Sequence, residues 1–122
     1  ERQAQQMEAK HVLDGDPMTC WHTRWKGKRP DFPHEIQIDM GRLYTIRAIQ
    51  YLPRQDRGRN GKLRRFEVYA STDAKTWGKP VARGVFKNSL DEQQADFAPV
   101  RGRYVRLVVL SGYSPQIAAI AE

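Results

Sequence analysis

The feature that most constrains the fold is an alternation of apolar and polar side chains with a period of two. It is clearest in Arg103–Leu110, where every second residue is a branched aliphatic: Val105, Leu107 and Val109. Such spacing puts these side chains on one face of a β-strand. Weaker versions, separated by turn residues, occur at 36–38, 46–51, 66–71, 81–86 and 94–97. Because no convincing long helix interrupts them, the sequence predicts an antiparallel β-sandwich or barrel.

The composition fits one domain with a single core. The 122 residues are 39% hydrophobic and 10% aromatic, and no apolar run approaches the roughly 18 residues of a membrane helix. We therefore expect a single module, residues 1–122, without membrane insertion, excised from a larger protein. Cys20 is the only cysteine. An internal disulfide is excluded, and the residue is interpreted as a small buried apolar group.

The chain carries a formal net charge of +7, from 21 Lys and Arg against 14 Asp and Glu. This excess is typical of proteins that bind nucleic acid, anionic polysaccharide or anionic lipid, and equally of an ordinary solvated surface. One dense basic cluster stands out, formed by Arg54, Arg57, Arg59, Lys62, Arg64 and Arg65. The charge is therefore compatible with an acidic ligand but does not identify one.

The sequence contains none of the common catalytic motifs. There is no G-x-S-x-G nucleophile elbow, H-E-x-x-H zinc motif, Walker A loop or dinucleotide fingerprint. Asp14 and Asp16 are two residues apart on a tight loop, so they look more like ligands than like the separated carboxylates of a glycosidase. We therefore expect a domain that is not an enzyme.

Two loops, His11–Trp25 and Pro53–Gly61, hold most of the residue types that carry chemistry. In the first, Asp14, Asp16 and Thr19 supply hard oxygen atoms that suit Ca²⁺, although Asp-Gly-Asp is also an ordinary turn sequence. A sugar site combines an aromatic ring with planar polar side chains. Suitable candidates in the predicted loops are His22, Trp25, Arg54, Asn60 and Tyr113. The other two tryptophans, Trp21 and Trp77, are predicted to lie in the core.

Several stretches together resemble the family 32 carbohydrate-binding modules of the discoidin group, also called coagulation factor 5/8 type C domains. They are LDGDPMTCWHTRW, HEIQIDMG, YLPRQDRGRNGKLRRFEVYAS, the Thr76-Trp77 pair, GRYVRLVVL and IAAIAE. Their order and spacing match the family from about residue 11 to residue 122. The resemblance implies an all-β fold, the eight-stranded antiparallel β-sandwich of a galactose-binding-domain-like jelly roll.

The resemblance also implies a structural calcium ion that ties the opening loop to the end of the chain. Carried over by position, the ligands are six residues that offer oxygen atoms. Backbone carbonyls come from His11, Asp16 and Ala121, side chains from Asp14 and Glu122, and both a hydroxyl and a carbonyl from Thr19. Hard oxygen donors of this kind are those that calcium prefers.

For function, the resemblance implies non-catalytic binding of terminal galactose or N-acetylgalactosamine. His22, Arg54 and Asn60 are expected to converge on an axial hydroxyl, while Trp25 or Tyr113 covers the apolar face of the sugar. The domain would be a monomeric accessory module of a bacterial glycoside hydrolase, secreted or on the cell surface. The basic loop Arg57–Lys62 points towards an acidic glycan, such as a sialylated or sulfated one.

The alternative is a discoidin-type adhesion domain that binds anionic lipid, protein or acidic polysaccharide. The loop tips, Lys26–Arg29 and Arg57–Arg59, are charged rather than apolar, which disfavours insertion into a membrane. Nucleic acid is not expected as a partner in either interpretation.

Overall fold

The computed structural model describes residues 21–22, 31–55, 61–114 and 118–121. Strands form the regular structure of these residues, and every pairing between them is antiparallel. The strands are β1 (Trp21–His22), β2 (His34–Tyr51), β3 (Arg65–Ser71), β4 (Ala82–Val85), β5 (Gln93–Val109) and β6 (Ala119–Ile120). In the described part of the chain, no helix has the length and hydropathy needed to cross a bilayer. The predicted all-β antiparallel architecture is confirmed.

The described strands form two sheets. One is the short pair β1–β6, and the other is four-stranded with the order β2-β5-β3-β4. The predicted strands at 66–71 and 81–86 correspond to β3 and β4 within one residue at each end. Because β5 lies between β2 and β3, it is the central strand on which the larger sheet is built.

The two long strands each join segments that the sequence pattern separates. The sequence pattern separates 36–38 from 46–51 and predicts a turn at Met40–Arg42 between them. That turn prediction is wrong: the chain continues through it as β2, and the ladder with β5 shifts its register between Asp39 and Tyr44. Gly41 lies within this shift with φ +86°, a backbone conformation that glycine adopts without steric cost. The segments predicted at 94–97 and 103–110 likewise belong to one strand, β5, which ends at Val109. Because β2 and β5 pair with each other, each continues as one strand through the polar residues that interrupt its apolar pattern.

The core lies on one face of the four-stranded sheet, as the alternation predicts. Leu107 of β5 pairs with Ile36 of β2 and with Val68 of β3, and all three side chains are buried. Farther along, Phe66 stacks on Phe86 with ring centroids 4.0 Å apart. Burial of such apolar surface is the main stabilising contribution to a fold of this size. Trp21 belongs to the same core cluster, so its prediction is confirmed.

Trp77 does not lie in the core, contrary to its prediction. Its side chain is half-buried, and its ring lies 4.6 Å from the guanidinium carbon of Arg106. The same guanidinium lies 4.8 Å from the ring of Tyr69. Arg106 follows Val105 in β5 and therefore points to the outer face of the sheet. A cation between two aromatic rings holds Trp77 there.

The turn that leads to Trp77 is organised by one carboxylate. Asp73 Oδ1 accepts hydrogen bonds from the amides of Thr76 (2.9 Å) and Lys75 (2.8 Å), and from the hydroxyl of Ser71 (2.9 Å). These donors stabilise the charged form and lower the pKa of Asp73 to about 2. The Thr76-Trp77 pair is thus presented by a turn whose amides are satisfied locally.

Candidate functional site

Backbone pairing brings the chain at His22 next to the chain at Gly61. His22 pairs with Ala119 in the β1–β6 sheet, and the amide of Ala119 donates to the carbonyl of Gly61 at 2.9 Å. Gly61 directly follows Asn60 in the sequence. The position of His22, one of the candidate sugar-binding residues, is therefore known from its backbone. The side chain of His22 and all of Trp25 and Asn60 lie outside the described residues.

Gly61 allows this close approach because it has no side chain. Its φ is +82°, and a Cβ atom there would lie 2.8 Å from the amide nitrogen of Ala119 and 3.1 Å from the carbonyl carbon of Ala118. Both distances are shorter than packed side chains tolerate. The Asn-Gly pair is a sequence signal for positive φ, but the contact with Ala119 is not readable from sequence.

Tyr113 presents an aromatic ring beside this junction. Its amide donates to the carbonyl of Lys62 at 3.0 Å, and its hydroxyl donates to the carbonyl of Phe86 at 2.8 Å. The hydroxyl of Ser114 in turn accepts the amide of Gly61 at 3.1 Å. Tyr113 is 40% exposed. Both ends of the residue are fixed while part of its ring faces solvent, which is what stacking on a sugar requires.

Arg54 lies in the segment after β2, and the structure ties that segment to the end of the chain. The amide of Ala121 donates to the carbonyl of Leu52 at 3.0 Å. The side-chain amide of Gln55 donates at 2.8 Å to the carbonyls of Pro53 and of Leu90. Arg54 itself is buried, with 9% of its surface exposed. A guanidinium in this setting has few accessible orientations, so it suits directional hydrogen bonding.

A buried tyrosine supports the floor of the site. The hydroxyl of Tyr51 accepts the amide of Leu63 at 3.0 Å, and its ring packs on Phe86 with centroids 4.7 Å apart. Burial raises the pKa of Tyr51 to about 12, so the hydroxyl stays neutral. Leu63 bridges to Gly112, the residue before Tyr113. Sequence reasoning missed Tyr51, because alternation identifies a buried ring but not the partner of its hydroxyl.

The predicted calcium ligands fall almost entirely outside the described residues. His11, Asp14, Asp16, Thr19 and Glu122 are all in that category. Ala121 is described and fully buried. Within the described ranges, no group of three or more His, Cys, Asp or Glu side chains could hold a metal ion. The calcium site stays a prediction.

Three features of the candidate site lie within the described residues. They are the fixed, partly exposed Tyr113, the buried Arg54 and the backbone junction of His22 with Gly61. An aromatic ring and a guanidinium are groups that can stack on a sugar and bond its hydroxyls.

Comparison with known proteins identifies the family. The model of the F5/8 type C domain matches residues 1–122, and the chain belongs to that family. A Clostridium perfringens module, CpGH89CBM32-5, solved in complex with GalNAc-β-1,3-galactose, superimposes with a TM-score of 0.86 at 29% identity, covering 93% of this chain and 79% of that one. The family 32 module of C. perfringens NanJ in complex with galactose gives a TM-score of 0.86 at 25% identity, covering 98% and 84%. The predicted jelly roll and the resemblance to family 32 modules are confirmed.

Curated relatives contain this domain as a small part of a longer chain. A sialidase of Micromonospora viridifaciens is 42% identical over 116 residues, which is 93% of this chain and 18% of the relative. A galactose oxidase of Gibberella zeae is 37% identical over 105 residues, covering 85% of this chain and 15% of the relative. The chain thus spans less than a fifth of either relative.

Proposed function

We propose that this domain binds terminal galactose or N-acetylgalactosamine without catalysing a reaction. The observation that carries the proposal is Tyr113, which is 40% exposed, bonded through its hydroxyl to Phe86 and through its amide to Lys62, the neighbour of Gly61. Two similar structures were solved with galactose and with GalNAc-β-1,3-galactose. The domain acts as a monomeric accessory module that directs an attached glycoside hydrolase, secreted or on the bacterial cell surface, to its substrate.

The role of each residue in the proposed site follows from its side-chain chemistry. Tyr113 covers the apolar C–H face of the sugar, together with Trp25. His22, Arg54 and Asn60 bond the axial hydroxyl that distinguishes galactose from glucose. Arg54 donates from a rigid fork, so Arg54→Lys is not a conservative change. An open surface that contacts one or two sugars gives weak binding, because few contacts offset the loss of ligand freedom.

Titration of the chain with monosaccharides tests this proposal. We expect galactose and N-acetylgalactosamine, but not glucose, to shift backbone amide resonances in NMR spectra at millimolar concentration. Tyr113→Ala should weaken galactose binding about tenfold, or ~1.4 kcal/mol, by removing the stacking surface. His22→Ala should weaken it by a similar factor or more through loss of a polar contact.

Tyr44→Ala provides the matched control for Tyr113→Ala. Tyr44 is also 40% exposed, but it lies in β2, where it pairs with Gly102. Its removal should leave galactose binding unchanged. Absence of any shift with galactose at millimolar concentration, or wild-type binding by His22→Ala, would count against the proposed function.

A structural calcium ion is a separate part of the proposal. The donor set is chemically suitable, since the side chains of Asp14 and Glu122, the hydroxyl of Thr19 and the backbone carbonyl of Asp16 all offer oxygen ligands. When bound, the ion supplies a crosslink between the opening loop and the end of the chain. Ala121, beside Glu122, is hydrogen-bonded to Leu52, so this crosslink would also hold the segment that leads to Arg54.

Removal of calcium should therefore lower thermal stability. For an ion present at 100 times its dissociation constant, chelation is expected to lower the melting temperature by about 10 °C. Differential scanning calorimetry with and without a chelator measures the change, and Asp14→Asn should reproduce it in the absence of chelator. A melting temperature that neither treatment alters would contradict the presence of a stabilising ion.

A further inference from the structure

The part of the molecule around Tyr113 carries a concentrated positive charge. Three described segments meet there, 61–66, 82–90 and 110–114, and they contain five cationic residues and no carboxylate: Lys62, Arg64, Arg65, Arg83 and Lys87. The formal net charge of the whole chain is only +7. These three segments therefore account for five of the seven net positive charges of the chain.

The backbone pairing places the chain at Lys62 and Arg64 alongside the chain at Tyr113 and Ser111. Tyr113 is hydrogen-bonded to Lys62, and the amide of Arg64 donates to Ser111 at 3.0 Å. Leu63 lies between them and is fully buried, so the side chains of its two neighbours point to the opposite face. Gly112 pairs with Leu63, so by the same alternation Tyr113 faces the side of Lys62 and Arg64.

The hydroxyl end of Tyr113 reaches a third cation. The carbonyl of Phe86 accepts the tyrosine hydroxyl, while the amide of Phe86 donates to the carbonyl of Arg64 at 2.8 Å. The ring of Tyr113 therefore crosses the chain near Arg64 to reach Phe86. Lys87 is the next residue and is exposed. Arg64 and Lys87 thus lie along the path of one fixed aromatic ring.

Arg64 and Lys87 differ from two cations elsewhere on the sheet, which lie beside carboxylates. Arg103 forms two hydrogen bonds with Asp39, at 2.8 and 3.0 Å, and Arg106 lies 3.8 Å from Glu35. Neither Arg64 nor Lys87 forms an ion pair with any residue in the described ranges. Arg83 is set aside, because it pairs in register with Glu67. Cations gathered without carboxylates raise the local concentration of anionic ligands.

We propose that Arg64 and Lys87 form an anionic subsite next to Tyr113, so that the preferred glycan carries an acidic group on or linked to the galactose that the site binds. The group is a carboxylate or a sulfate ester, both of which accept hydrogen bonds from a guanidinium fork. This inference rests on the proposed function, since Tyr113 is shared between the two. It adds the charge class of the ligand.

Calorimetry with lactose, 3′-sialyllactose and lactose 3′-sulfate tests the subsite. The two acidic sugars separate a carboxylate from a sulfate as the source of the charge. At low ionic strength, at least one should bind about tenfold more tightly than lactose, and added salt should reduce this advantage. In the double variant Arg64→Gln/Lys87→Gln, the advantage should fall to within about twofold of lactose, while the affinity for lactose itself stays unchanged.

A second double variant separates a local site from general charge attraction. Arg47 and Arg101 are exposed cations on β2 and β5, so Arg47→Gln/Arg101→Gln removes the same charge away from Tyr113. This variant should retain the preference for the acidic sugar. Equal loss in both double variants would overturn the subsite, since a long-range field would then explain the preference.

Failure of the anionic subsite and failure of the proposed function would give different binding results. If lactose binds and neither acidic sugar binds more tightly, the anionic subsite is wrong and the proposed function stands. If lactose, both acidic sugars and galactose all fail to bind, the proposed function itself fails, and the subsite fails with it. Melting temperatures of both double variants exclude misfolding as the cause of any loss.

Discussion

Gly61→Ala is expected to destabilise the domain by about 3 kcal/mol and to abolish measurable galactose binding. The new Cβ would lie 2.8 Å from the amide nitrogen and 2.9 Å from the Cβ of Ala119. Relief of this overlap must move Gly61 away from Ala119 and break their 2.9 Å hydrogen bond. Because Gly61 joins Asn60 to the His22–Ala119 pair and also bonds Ser114, this displacement would disturb the proposed sugar site.

Two other positions, Gly41 and Ala74, distinguish the cost of the overlap with Ala119 from the cost of positive φ. Gly41 has φ +86°, but nothing lies within 4 Å of the Cβ that an alanine would add there. Gly41→Ala should therefore cost only about 1 kcal/mol and leave galactose binding intact. Ala74 already occupies this region of backbone space, with φ +61°. Positive φ alone is thus compatible with the fold for an alanine.

Urea unfolding of Gly61→Ala, Gly41→Ala and the wild type measures the difference, and NMR titration with galactose follows the site. The prediction is contradicted if the two alanine variants have equal stability, because the close approach to Ala119 would then contribute nothing. If Gly61→Ala is destabilised but binds galactose normally, the junction supports the fold and not the site.

Local patterns predict the shorter strands well and the longer ones only in pieces. In β3, alternation is uninterrupted, and Phe66 and Val68 are buried as expected. In β2, Gly41 resembles a turn, and the sequence pattern alone cannot distinguish a turn from a register shift in a continuing strand. That outcome is decided by β5, whose Tyr104 and Gly102 pair on either side of the shift. Such pairing between distant segments has no local signal.

For the candidate site, too, the sequence predicts some features and not others. The residue types for binding a sugar, such as the buried Arg54 and the exposed Tyr113, follow from side-chain chemistry and loop position. The orientation of Tyr113 does not, because it depends on the carbonyl of Phe86, which lies just after β4. The outer position of Trp77 was also not predictable, since only the contact with Arg106 shows which face of the sheet it covers.

Phe86→Ala is expected to destabilise the domain by about 3–5 kcal/mol, the second large effect. Phe86 is 4% exposed, and its ring contacts two others, with centroids 4.0 Å from that of Phe66 and 4.7 Å from that of Tyr51. Truncation would remove both contacts and leave a cavity beneath Leu63, whose amide bonds Tyr51. The surrounding strands cannot close this cavity fully, because their backbones are fixed by the ladder.

The adjacent residue is the matched control. Val85 is 60% exposed and lies at the end of β4, so Val85→Ala should change stability by no more than about 0.5 kcal/mol. Chemical denaturation compares the two variants. A loss below about 1 kcal/mol for Phe86→Ala would mean that the three-ring cluster is not part of the stabilising core. Phe86→Leu retains most of the apolar volume, so the backbone carbonyl that accepts the Tyr113 hydroxyl should keep its position. This variant should therefore lose less stability and keep its affinity for galactose, which links the core to the site through the position of one carbonyl.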